Sequence, residues 1–170
     1  MLAIGIDPGT ATTGYGVVSL VGQKLQVITL GVIRTSASWS LADRLLYIHD
    51  QVSSICQEYK PDMAAMEELF FNRNVRSALA VGQARGAVLV ALSQAGLPVL
   101  EFTPLQVKQA VTGYGRAGKL QVQQMVQRLL HLDELPRPDD AADALACAIC
   151  GLHSAGHMAP QERFVRGNRV

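Results

Sequence analysis

The sequence predicts an α/β domain: a mixed five-stranded β-sheet flanked by helices. Three strand-like runs open the chain, helices and short apolar strands alternate after residue 40, and capping signatures mark the start of two helices. At 170 residues the chain has the length of one domain, and 49% hydrophobic against 17% charged residues is the composition of a packed core rather than of a disordered chain.

Residues 2–7 (LAIGID) read as a buried strand. Strands at 13–20 and 24–35 follow, rich in β-branched residues and joined through Val21-Gly22-Gln23, so the opening is an antiparallel meander. Ser40 and Asp43 then write a helix start, and Leu41, Leu45, Ile48, Val52 and Ile55 recur at spacings of four and three. This amphipathic helix must end before Pro61.

Residues 62–67 (DMAAME) have the length of a strand. From Val75 to about Gln94 the pattern turns helical, with Ala78, Gly82 and Gly86 four apart, a row of small residues that lets another element pack closely. The fifth strand is expected at 97–102. Thr103-Pro104-Leu105-Gln106 supplies an N-cap, a proline in the first turn and a capping-box Gln, opening a short helix to about Val111. Beyond the loop 113–118, Val122, Met125, Val126, Leu129 and Leu130 share one helical face, and Pro136 and Pro138 bracket a loop before a last helix from Asp139 or Asp140. Periodicity stops after His153, so the expected domain is 1–153. Residues 154–170, with Arg163, Arg166 and Arg169, are expected to form a mobile tail.

No apolar run is long enough for a membrane span, and Leu2–Ile6 meets an acid at Asp7 without a basic leader. Cys56, Cys147 and Cys150 are odd in number, in a chain too large to need disulfide staples. A soluble cytoplasmic protein with three free thiols is the expectation.

Four acids carry the chemistry. Asp7 and Glu67 each end an apolar run, and Asp140 and Asp143 stand three apart at the start of a helix, where both project from one face. Taken singly, Asp7 suits the turn Asp-Pro-Gly-Thr, and Asp140 suits a helix N-cap with Asp143 in the first turn. As a set they sit where hydrophobic sequence predicts core, and a buried carboxylate without a cation or donor is costly. Magnesium is held by a few carboxylates together with water and substrate phosphate, and two such ions drive in-line displacement at phosphorus. Phosphodiester hydrolysis is the reaction class expected. The chain carries 15 basic and 14 acidic residues, and neutralising these four acids raises its positive excess from one to five, which suits a nucleic-acid backbone.

Other signals fail. Gly113 to Lys119 nearly spells a phosphate-binding loop, but Leu120 replaces the hydroxyl residue and a helix precedes it. Cys147 and Cys150 write C-x-x-C inside an apolar helical pattern with no second pair for zinc, and the four histidines show no spacing that converges on the acids.

The segments GIDPGTATTGYGVV at 5–18, AMEELFFNRN at 65–74, LAVGQARG at 79–86, QVKQAVTGYGRAGKLQVQQMV at 106–126 and DDAADALACAI at 139–149 together resemble the RuvC family of bacterial Holliday junction resolvases, in order and with its spacing. The resemblance implies a ribonuclease H-like (retroviral integrase-like) fold and a homodimer. It also implies paired, symmetric nicking of a four-way DNA junction with magnesium, two ions per active site and manganese as a substitute, in recombination and repair. Asp7, Glu67, Asp140 and Asp143 match the catalytic, metal-binding acids, with Glu68 and Asp139 set aside. Lys108 and Lys119 match basic positions that face the cleaved phosphate, and Phe70 matches an aromatic wedge, followed by Arg73 and Arg76 in a cluster suited to unpaired bases and phosphates. The branch-migration proteins RuvA and RuvB are the implied partners. An actin- or sugar-kinase-like ATPase, which shares the turn at 5–10, would need a second domain. A non-catalytic junction binder would have no need of four intact acids.

Overall fold

The computed structural model describes residues 1–69 and 75–157. In chain order the elements are β1 (Leu2–Asp7), β2 (Thr12–Val21), β3 (Lys24–Arg34), α1 (Leu41–Tyr59), β4 (Met63–Glu67), α2 (Val75–Gln94), β5 (Val99–Phe102), α3 (Pro104–Thr112), α4 (Lys119–Leu129) and α5 (Asp139–His157). The sheet order is β3-β2-β1-β4-β5. The meander β1-β2-β3 is antiparallel, whereas β4 and β5 add in parallel beyond β1, each after a helical crossover.

Local chemistry sets the element ends. Ser40 caps α1 by accepting the Asp43 N–H at 3.1 Å, and Lys60 closes the helix in a left-handed conformation just ahead of Pro61. Thr103 and Gln106 form the capping box of α3, and Gly113 ends it at φ 74°, a conformation suited to glycine. β5 begins two residues later than expected, because the Leu97 N–H is committed to the Leu92 carbonyl in the turn that ends α2 and Pro98 has no N–H to give. α5 runs on to His157, past the expected domain end at 153, because Ala155 is buried in the core. The first residues assigned to the tail are therefore helical.

Strand alternation divides the core into two layers. Ile4, Ile6, Val17, Ala64 and Met66 face α1 and α2, where Ile48, Val52, Ala84 and Val88 meet them. Ala3, Val18, Met63 and Ala65 face the opposite layer of α3, α4 and α5, including Val107, Val126, Leu145 and Ile149. All three cysteines are buried free thiols. Among the described residues no helix is long and apolar enough to cross a membrane.

α5 lies unusually close to the sheet. A Cβ on Gly5 would fall 1.9 Å from the Ala144 carbonyl oxygen, and one on Gly14 2.0 Å from that of Asp140. Glycine is required at both positions by this approach of one backbone to another.

Candidate active site

Period-two alternation sends Asp7 to the side of the sheet occupied by Ala3 and Gly5, and Glu67 to that of Met63 and Ala65, the α5 side. The parallel register pairs Ile6 with Met66, so the next residue on each strand is the acid, and the two lie at neighbouring strand ends. Glu68 falls past the end of β4. Gly14, the antiparallel partner of Asp7, abuts the Asp140 backbone, which brings the first turn of α5 over Asp7.

The acids feel one another. Burial pushes the Asp7 carboxyl up from 3.8 to about 7, reinforced by repulsion from Asp143, Asp140 and Glu67. Glu67 is raised by burial and then by Asp143, against the pull of Lys108. Asp143 is raised by burial, with Lys119 opposing. Beneath them the buried Cys147 thiol is held far above its ordinary value, by burial first and then by Glu67 and Asp7. The four acids share a region without closing on a point: among the described residues no three His, Cys, Asp or Glu side chains are grouped tightly enough to hold an ion.

Lys108 and Lys119 stand beside the acids. A pocket of about 250 Å³ is lined by Glu67, Asp143 and both lysines, with an apolar wall from Val107, Val122 and Ala146. Lys119 Nζ lies 3.0 Å from Asp139 Oδ2 and 3.4 Å from Asp143 Oδ2. Asp139 is held below the usual carboxylate range by Lys119 and by Gln123, whose Nε2 donates to it at 3.0 Å. The acid set aside in the pair Asp139/Asp140 is thus a counter-ion for the lysine.

Sequence reasoning missed two further residues. Thr13 is buried, donates to the Gly9 carbonyl at 2.8 Å and accepts the Gly9 N–H at 3.3 Å, so it fastens the turn that follows Asp7. Arg85 is buried as well, and its Nη1 donates to the Glu67 carbonyl at 2.8 Å. The signal available for Arg85 is a charge in the middle of a helix made mainly of small and apolar residues, whose other charge, Arg76, stands in the first turn. Phe70 and Arg73 lie outside the described residues, and of Arg76 only the backbone, in the first turn of α2, is described. His49 bonds Asp50 and Gln94 while His153 meets the Ala110 carbonyl, both away from the acids.

The family model described as crossover junction endodeoxyribonuclease RuvC matches residues 3–151. A protein of that name from Syntrophomonas wolfei is 54% identical over 154 residues, covering 91% of this chain and 90% of its own length. The solved structure of Thermus thermophilus RuvC superposes with a TM-score of 0.86 at 42% identity, over 92% of this chain and 96% of the other. The same protein in complex with Holliday junction substrate gives 0.88 at 42% identity, over 91% and 94%. The sheet is therefore the ribonuclease H-like arrangement, and the chain belongs to the RuvC family of crossover junction endodeoxyribonucleases.

Proposed function

We propose that this chain resolves Holliday junctions as a homodimer, hydrolysing two phosphodiester bonds placed symmetrically across a four-way DNA junction and leaving 5′-phosphate and 3′-hydroxyl ends, in homologous recombination and DNA repair. The observation that carries this reading is the gathering of Asp7, Glu67, Asp140 and Asp143 at one end of the sheet, with Lys108 and Lys119 on the adjoining pocket wall.

The donor set fits a hard divalent cation. Every candidate ligand is a carboxylate, and three of them are raised by burial, a penalty that bound positive charge would offset. The four acids would hold magnesium, two ions per site, with manganese able to substitute. When bound, the cations supply a water nucleophile active at neutral pH and stabilise charge on the leaving oxygen.

The remaining groups orient the DNA. Lys108 and Lys119 present positive charge where a phosphate gathers negative charge in the transition state. Phe70 stacks on unpaired bases at the branch point, and Arg73 and Arg76 pair with phosphates. α2 supplies the dimer contact: Leu79 and Val90 are 62% and 52% exposed, and a Cβ on Gly86 between them would meet nothing within 4 Å. Two sites related by a dyad then give paired nicks. RuvA and RuvB are the proposed partners in branch migration.

The test is incubation with a labelled, mobile four-way junction and magnesium. Paired nicks at symmetric positions are expected for the natural chain and none for Asp7→Asn. Junction binding without cleavage by the natural chain, in magnesium or manganese and on several junction sequences, would leave only a binding protein.

A further inference from the structure

We infer that Arg85 is a positioning residue for Glu67, through which α2 sets the orientation of the acid at the end of β4; this rests on the reading of Glu67 as a ligand. Among the described residues only Thr13 and Arg85 are buried polar or charged residues. The guanidinium reaches from the middle of α2 to two acceptors. Nη1 donates to the Glu67 carbonyl at 2.8 Å, and Nη2 pairs with the Glu101 carboxylate on β5. Met66 and Glu101 are register partners, so the planar fork bridges two adjacent strands where both come to an end. A buried guanidinium is tolerated only when such partners satisfy it, and its rigid plane fixes their relative direction as an ammonium cannot.

Glu67 is the last residue of β4. Its side chain lines the pocket on one side of the sheet while its carbonyl is held by Arg85, which comes from the other. A shift of the Glu67 backbone would carry the carboxylate with it, and the Arg85 bond to the Glu67 carbonyl opposes that shift. A second tie lies close by, where Thr10 Oγ1 donates to the Ala80 carbonyl of α2 at 3.4 Å. One helix thus fastens both strand ends that bear acids, Asp7 through its turn and Glu67 through its carbonyl. Because α2 also carries the exposed stripe, displacement of that helix is passed to Glu67.

The experiment compares Arg85→Gln, Arg85→Lys and Glu101→Gln with the natural chain. Four readouts are taken: unfolding midpoint, junction affinity without divalent cation, single-turnover nicking at saturating protein, and manganese binding by electron paramagnetic resonance. In Arg85→Gln, junction affinity should stay within about threefold while nicking slows about tenfold or more, the scale set by small misplacement of a reacting group. Manganese binding should weaken, Arg85→Lys should recover part of both losses, and Glu101→Gln, which keeps the Glu67 bond, should fall between. Arg85→Gln that nicks and binds manganese like the natural chain would overturn the inference. So would parallel loss of junction affinity, nicking and unfolding midpoint across all three variants, the mark of a residue that only supports the fold. A natural chain that binds the junction and never nicks would instead defeat the nuclease reading, a failure visible before any variant is compared.

Discussion

Replacing Asp7 with Asn should make the metal-free protein more stable while abolishing cleavage. In the folded chain the Asp7 carboxyl is pushed up from 3.8 to about 7 by burial and by the three neighbouring acids. A carboxyl raised in this way binds its proton more tightly when folded, so its favourable contribution is full below 3.8, declines as pH rises, and is gone above about 7. At ~1.4 kcal/mol for each tenfold change in proton affinity, the rise is worth about 4 kcal/mol as an upper bound, and residual contact with water brings it to about 2–3 kcal/mol. Asn has nearly the same shape and no charge, so the variant escapes that loss. With chelator present at about pH 8, its unfolding midpoint should lie about 4–12 °C above that of the natural chain, a gap that closes towards about pH 4. Thermal unfolding followed by circular dichroism across that range reads the gap directly, and added magnesium should raise the midpoint of the natural chain more than that of the variant. A gap missing at alkaline pH, or of equal size throughout, would refute a buried Asp7 under repulsion from its neighbours.

Three other substitutions test separate parts of the molecule. Gly14→Ala would drive a Cβ to 2.0 Å from the Asp140 carbonyl oxygen, so urea denaturation should show a loss of about 3 kcal/mol or more, with slower nicking as α5 lifts; unchanged stability would contradict the close approach. Lys119→Met removes the partner of Asp139 and Asp143 and should slow single-turnover nicking about a hundredfold while junction affinity changes little, whereas an equal fall in affinity would make Lys119 a binding residue alone. Gly86→Arg places a bulky charge in the stripe on α2 and should give a monomer in sedimentation that no longer pairs its nicks; a persistent dimer would place the interface elsewhere.

Elements with local causes were legible in the sequence. Ser40 with Asp43, and Thr103 with Gln106, wrote the starts of α1 and α3 in side chains three residues apart, and both caps form. β5 starts later than its sequence pattern predicts because its start depends on where α2 releases its last N–H partner, and α5 ends later because the burial of Ala155 depends on a sheet far away in sequence. At the site the contrast is the same. The family resemblance chooses Glu67 over Glu68, and helical spacing puts Asp140 and Asp143 on one face, so the neighbourhood of the four acids could be foreseen. Nothing local announces that Lys119 lies between Asp139 and Asp143, or that Arg85 reaches Glu67, since each contact joins elements whose packing only the folded chain defines. The roles at Phe70, Arg73 and Arg76 rest on the sequence and its resemblance.

At Gly5 and Gly14 peptide rests on peptide, with no layer of side chains between α5 and the sheet. Most helices ride on a cushion of rotamers, and a lost methyl lets them sink or tilt slightly. Here the seat is a hard stop, so the height of Asp140 and Asp143 above Asp7 is gauged against the backbone itself. Substitutions among Leu145, Ile149 and their neighbours can cost stability without resetting that height. Freedom to exchange core side chains and strict intolerance of displacement therefore coexist within one helix, a turn apart.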